Sequence, residues 1–145
     1  MFRRLLVAAA VLAGVTGALA QSDPIAERQQ LMKDMSQAAK APGAIMKGEA
    51  PFDLAKVQAS LATFANVAKK APTLFPDNSK TGHDTEALPK IWTDKADFNA
   101  KWEKFGKDAA SAQASITDEA NFKANFPGVA KNCGACHETY RAKKS

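Results

Sequence analysis

The stretch "NCGACHETYR", residues 132–141, contains both cysteines of the 145-residue chain and one of its two histidines. Cys133 and Cys136 are three residues apart, about one turn of a helix, so both thiols can reach the same side of a flat ligand. His137 follows directly and can turn its imidazole toward the centre of that ligand. Two thioether bonds and one axial nitrogen attach a c-type haem, and C-x-x-C-H is the sequence signature of that attachment.

A Cys-x-x-Cys pair can also belong to a zinc site or to a redox dithiol. A structural zinc site needs four ligands, and the other histidine, His83, stands alone in a polar segment. A thioredoxin-like dithiol occurs in a βαβ context, for which the sequence shows no pattern. We therefore favour haem over these two alternatives. The sequence predicts one covalent haem c on Cys133 and Cys136, with His137 as the proximal iron ligand.

Residues 1–20, "MFRRLLVAAAVLAGVTGALA", have the pattern of an export signal. Arg3 and Arg4 form a positive start, an apolar run follows, and small residues precede the expected cleavage point. We predict that this signal is cleaved and that the mature domain, residues 21–145, is periplasmic. An uncleaved membrane anchor is the alternative. Export agrees with a covalent haem, because c-type haem proteins are matured outside the cytoplasm.

The charge and length of the mature chain limit the possible classes of protein. It keeps 18 basic and 15 acidic side chains, a net charge of about +3. Nucleic-acid binding would need a concentrated basic stripe with stacking aromatic residues, so we expect no nucleic-acid partner. About 125 residues form one domain that can bury a modest core. Two cysteines cannot form a disulfide framework.

Four amphipathic patterns of helical period fill the mature chain, and no segment alternates as a strand does. They cover residues 24–40, 54–70, 95–115 and 119–143. Asp23 and Asp53 are placed to cap the first two helices. The pattern predicts an all-α, antiparallel four-helix bundle.

Proline and glycine residues are expected to interrupt two of these helices. Ala41-Pro42-Gly43 is expected to kink the chain after the first helix, and Pro127-Gly128 to divide the fourth into two pieces. Residues 71–89 form a long loop with three prolines, which Leu74 and Phe75 are expected to pin to the core.

The position of the haem motif bears on the sixth iron ligand. Only residues 138–145 follow His137, and none of them is a methionine. A sixth ligand from the protein must therefore come from upstream, where the mature methionines are Met32, Met35 and Met46.

The mature chain resembles the class II c-type cytochromes, the family of cytochrome c′ and cytochrome c-556, over essentially its whole length. The most specific match is "CGACHETYR" at residues 133–141. The other matches are "ERQQLMKDM" at 27–35, "KGEAPFD" at 47–53, "LFPD" at 74–77 and "PKIW" at 89–92.

The resemblance implies an up-down-up-down bundle with the haem inside it and the first helix over the distal face. Met32 corresponds to the residue that faces the iron. In c-556-type members this methionine binds the iron and makes it six-coordinate and low-spin, whereas c′-type iron is usually five-coordinate. The local sequences favour the c-556 type, with Met35 as the backup ligand. The expected function is electron transfer rather than enzymatic catalysis.

Two alternative functions remain beside electron transfer. The first is a five-coordinate protein of the c′ kind that binds NO or CO. The second is peroxidase or NO-detoxifying chemistry, for which the sequence offers no distal His/Arg pair, although Arg28 weakens that exclusion.

Basic residues suggest further contacts. A buried Arg28 would need an anion, and we expect a haem propionate to supply it. Lys131, Arg141, Lys143 and Lys144 predict a basic rim for an acidic redox partner, with a solvated helix end as the alternative. The resemblance also makes a homodimer through the first two helices possible.

Overall fold

A computed structural model describes residues 23–143 of the chain. The predicted export signal and Lys144 lie outside the described residues. The described part contains six α-helices, which are α1 Pro24–Ala38, α2 Lys40–Met46, α3 Leu54–Lys70, α4 Lys90–Thr93, α5 Lys95–Ser115 and α6 Glu119–Tyr140. Two short 3₁₀ helices, Ala71–Leu74 and Asp77–Ser79, lie between α3 and α4.

The four long helices form the predicted all-α four-helix bundle. Helix α3 packs against α1 and α5, and α5 packs against α6. Successive long helices are therefore neighbours, as in the antiparallel up-down-up-down arrangement. The two short helices, α2 and α4, lie in the connections between them.

Aspartate side chains fix the starts of three long helices. Asp23 Oδ1 accepts hydrogen bonds from the backbone N–H groups of Ile25 and Ala26 at 3.0 and 3.1 Å. Asp53 accepts one from Lys56 at 3.1 Å. The Asp118 side chain caps α6 in the same way. These bonds satisfy donors that have no partner within the helix, and they confirm the caps predicted for α1 and α3.

Helix α6 runs without a break through Pro127 and Gly128, so the predicted division of this helix is wrong. Proline removes one backbone donor and crowds the preceding turn, a local cost that packing can offset. Phe126 and Val129, on either side, are buried in the core. The Asn132 side chain also donates to the carbonyl of Gly128 at 3.1 Å, one turn earlier.

The first break comes earlier than the sequence predicts. Helix α1 ends at Ala38, and Ala39 separates it from α2. Pro42 lies in the first turn of α2, where its missing N–H is not needed for a helical hydrogen bond. The chain therefore bends before the proline rather than at it.

The predicted apolar stripe of α5 forms the centre of the core. Phe98, Trp102, Phe105, Ala109, Ala112 and Ile116 are all buried. The Phe98 ring contacts that of Phe75 edge-on at 4.8 Å between centroids. Leu74 and Phe75 are buried as well, so they pin the long loop to the core as predicted.

The last described residues are tied to the end of that loop. The backbone N–H of Ala142 donates to the carbonyl of Glu86 at 2.8 Å, and that of Leu88 donates to the carbonyl of Tyr140 at 3.0 Å. An isolated β-bridge joins Ala87 to Arg141. The loop is thereby held against the C-terminal end of α6, beside the Cys-x-x-Cys-His motif.

Candidate haem site

A cavity of about 720 Å³ lies between α1 and the C-terminal half of α6. Its wall includes Met32 and Met35 from α1 and Cys133, Cys136 and His137 from α6. The fold thus brings together the two groups of residues that the sequence places about a hundred positions apart.

The motif residues lie one turn apart on α6, at the edge of the cavity. Both thiols are free, with Cys133 exposed and Cys136 half-buried. Burial lowers the pKa of the half-buried His137, and the nearby positive charge of Arg141 lowers it further. The neutral imidazole is the form that can bind a metal. These residues have the positions that the predicted attachment requires, and the lowered pKa of His137 favours the form that binds a metal.

The turn after His137 is held in place by a bond between helices. The Tyr140 hydroxyl donates to Asp97 Oδ2 on α5 at 2.6 Å. The Tyr140 ring contacts Phe98 edge-on at 5.2 Å between centroids. Burial and the bond to Asp97 raise the pKa of Tyr140, while the same bond lowers the pKa of Asp97. The end of α6 is therefore fixed on both its polar and its apolar side.

The candidate methionines differ in their positions relative to the cavity. The cavity is lined by residues 28, 29, 32, 33, 35, 36 and 39 of this part of the chain. With about 100° of rotation per residue, Met32 lies near the middle of this face and Met35 at its edge. Met46 is exposed and does not line the cavity. Met32 therefore has the most central position opposite the motif.

Apolar side chains form the remaining inner wall. They are Phe64, Ala71, Phe75, Ile91, Phe98, Trp102 and Phe105. A flat apolar ring system buried here would contact aromatic faces and edges. The donor set of two free thiols, a neutral imidazole and a thioether matches what a covalent haem uses, so the residues present fit a haem.

A zinc site has no such support. Between residues 23 and 143 no cluster of three or more His, Cys, Asp or Glu side chains is arranged to hold a metal ion. His83 lines the rim of the same cavity, where its Nε2 lies 2.7 Å from Asp23 Oδ2. The sequence places His83 alone in a polar segment, and no local pattern indicated its position at the rim.

Arg28 is buried as expected, and the protein itself already supplies it with hydrogen-bond partners. Its two terminal nitrogens donate to Leu74 O, to the hydroxyl and carbonyl of Ser79, and to Thr85 Oγ1, at 2.8 to 3.1 Å. The guanidinium also lies 4.7 Å from the centroid of the Phe75 ring. Neutral acceptors of the loop satisfy the group, so its burial does not require a haem propionate. Sequence analysis missed these partners because they lie 46 to 57 residues away.

The predicted basic rim is divided between two sides of the cavity. Lys131 is exposed on the side of α6 that faces α5. Arg141 lies on the other side, where its Nε is 3.9 Å from Glu86 Oε2. The two residues therefore do not form one continuous positive surface.

Comparison with known proteins agrees with this site. The family model described as cytochrome C' matches residues 23–141. A cytochrome c' of Rhodopseudomonas palustris is 52% identical over 139 residues, covering 96% of this chain and 95% of the relative. A cytochrome c-556 of the same organism is 38% identical over 148 residues, covering 99% of both chains.

The fold of this chain is also similar to that of a solved structure. A solved structure of cytochrome c' from Rhodopseudomonas palustris matches with a TM-score of 0.84 and 54% identity, over 86% of this chain and all of the other. The bundle and its site thus define a haem c protein of the class II c-type cytochromes. The chain belongs to the cytochrome c′ family and binds covalently attached haem c.

None of the helices between residues 23 and 143 combines the length and the apolar character of a membrane span.

Proposed function

We propose that this chain is a periplasmic electron carrier, not an enzyme, whose haem iron has His137 and Met32 as its axial ligands. Cys133 and Cys136 form the two thioether bonds. The observation that carries the proposal is the central position of Met32 on the α1 face that lines the cavity, opposite the motif on α6. The export signal predicted from residues 1–20 supports the location.

The haem supplies one-electron exchange between Fe(III) and Fe(II). The chain's own residues adjust that exchange. A methionine sulfur as axial ligand favours the reduced iron and raises the reduction potential. The apolar wall built by Phe64, Phe98 and Phe105 keeps water from the inner side of the cavity.

A second candidate is a five-coordinate protein that binds NO or CO. It is supported by the 52% identity to a relative named cytochrome c', the type that usually leaves the distal position open. In this case Met32 would pack in the distal wall without binding the iron, as a flexible apolar side chain can.

Binding of CO to the reduced holoprotein separates the two candidates. If Met32 binds the iron, CO must displace it, so the observed rate levels off at high CO concentration. The Met32→Ala variant should then bind CO at a rate that rises linearly with its concentration. A linear dependence in the unmodified protein, equal to that of the variant, would overturn the ligation by Met32.

A further inference from the structure

A second concave surface lies beside the haem cavity, between α5 and α6. This groove has a volume of about 620 Å³. Lys101 and Asn132 line both the groove and the haem cavity, so the two share a wall. Ala135, between the two motif cysteines, lies in the groove as well. A molecule seated in the groove would therefore contact the turn of α6 that holds the haem.

Lysines outnumber carboxylates among the residues that line the groove, which are Lys101, Lys104 and Lys131 against Asp108. Lys101 pairs with Asp97 outside the groove, at 3.7 Å between Nζ and Oδ2. Asp108 is already paired, because its Oδ2 accepts from Lys104 Nζ at 2.5 Å and from the Asn132 side chain at 2.8 Å. These bonds lower the pKa of Asp108. Lys131 is exposed and has no ion pair within residues 23–143, so its charge is available to a partner.

The opposite side of the haem cavity has a different charge balance. Arg141 lies near Glu86, and Asp84 lines the same rim. Lys33 is the exposed cation that α1 contributes to that side. Positive and negative groups alternate there. Among the residues that line the groove, the unpaired charge is that of Lys131, which lies beside two lysines that pair with Asp97 and Asp108.

The floor of the groove identifies the chemistry of its occupant. Gly128, Val129 and Ala135 are small, and none of the residues that line the groove is aromatic. Nucleic-acid bases would have no ring on which to stack. Carboxylates at the surface of a protein would meet both the lysines and the hydroxyl and amide groups of the groove.

We propose that the α5–α6 groove is the docking surface for the carboxylate-bearing face of a redox partner protein. This inference rests on the proposed electron-transfer function and assigns the partner to one side of the haem. One electron passes between the partner's redox centre and the haem iron, and no bond is formed or broken. Long-range attraction by the lysines raises the rate of productive encounter.

Charge reversal with two small redox probes tests the proposal. The reduced holoprotein is oxidised by hexacyanoferrate(III), a trianion, and separately by tris(phenanthroline)cobalt(III), a trication, and each takes one electron. Lys131→Glu should slow the anionic probe roughly ten-fold at low ionic strength and accelerate the cationic one. Both effects should fade in high salt.

Two matched variants carry the same change in net charge. Lys123→Glu lies on α6 about 12 Å along the helix from Lys131, where the native lysine pairs with Glu119. Lys33→Glu lies on the α1 side of the cavity. The proposal expects both to have clearly smaller effects than Lys131→Glu. Equal effects of all three variants, or a larger effect of Lys33→Glu, would overturn it.

The outcome is independent of the axial ligand of the iron. Both probes react with a five-coordinate or a six-coordinate haem, and the reduction potential of each variant is measured in parallel. If the groove is not the docking surface, the three charge-reversal variants change the oxidation rates equally. If Met32 does not bind the iron, the dependence of the CO binding rate on CO concentration shows it.

Discussion

The guanidinium of Arg28 donates hydrogen bonds to both the hydroxyl and the carbonyl of Ser79, a residue 51 positions later in the chain. Two further bonds reach Leu74 and Thr85. The side chain thereby holds the connection between α3 and α4 against α1, one turn before Met32. The position of the distal wall depends on this bond network as well as on helix packing.

Replacing Arg28 should therefore destabilise the holoprotein. Arg28→Met keeps an unbranched side chain but leaves three buried acceptors and a partly buried one without this donor, at a cost of about 2–4 kcal/mol in the free energy of unfolding. Urea unfolding measures the difference. Lys33→Met, on the exposed part of the same helix, is the control and should change stability by less than about 0.5 kcal/mol. Equal effects of the two substitutions would show that the network contributes little.

Two of the glycines that lie within long helices, Gly106 in α5 and Gly128 in α6, should respond differently to alanine. Nothing lies within 4 Å of a Cβ built on Gly128, so Gly128→Ala should stabilise the protein by about 0.5–1 kcal/mol. A Cβ on Gly106 would lie 3.2 Å from that of Ala68, where α3 and α5 pack closely. Gly106→Ala should therefore stabilise the protein less than Gly128→Ala does, or should destabilise it. Urea midpoints compare them, and a larger gain at Gly106 would contradict the packing described.

Tyr140→Phe should change how the free energy of unfolding depends on pH in the acid range. The Tyr140 hydroxyl lowers the pKa of Asp97 in the folded protein. A lowered carboxyl pKa adds stability above the unfolded value, near 3.9, and this stability is lost as the pH falls through the folded value. The variant keeps the ring but loses this bond. Its urea midpoint should be lower than that of the unmodified protein at pH 7, and the gap should close toward pH 2. A gap that stays constant with pH would exclude the Asp97 bond as its cause.

Intact mass spectrometry of the exported protein tests the anchor and the signal together. We expect the mass of a chain that begins at Gln21 plus one haem. Cys133→Ala or Cys136→Ala leaves a single thioether, and the double variant should lose the haem when denatured. Ser111→Ala, in the neighbouring groove, keeps both cysteines and should retain it. Haem retained by the denatured double variant would contradict attachment through these cysteines.

Local patterns predicted the elements that local forces determine. The bounds of α3 and α5 agree with their periodicity and with the capping position of Asp53. The Cys-x-x-Cys-His motif indicated the haem because its spacing carries the chemistry. The predicted break at Pro127 was wrong because the helix is maintained by the tertiary packing of Phe126 and Val129, which a local pattern does not contain. The partners of Arg28 and the separation of Lys131 from Arg141 depend likewise on distant segments that meet only in the fold.

The absorption spectrum of the oxidised holoprotein tests the central claim, that Met32 binds the iron, most directly. We expect a low-spin ferric spectrum with a weak far-red charge-transfer band from methionine sulfur to iron. Met32→Ala should lose this band and become high-spin, whereas Met35→Ala should keep it. A high-spin spectrum of the unmodified protein, or a band that survives in Met32→Ala and disappears in Met35→Ala, would contradict the assignment.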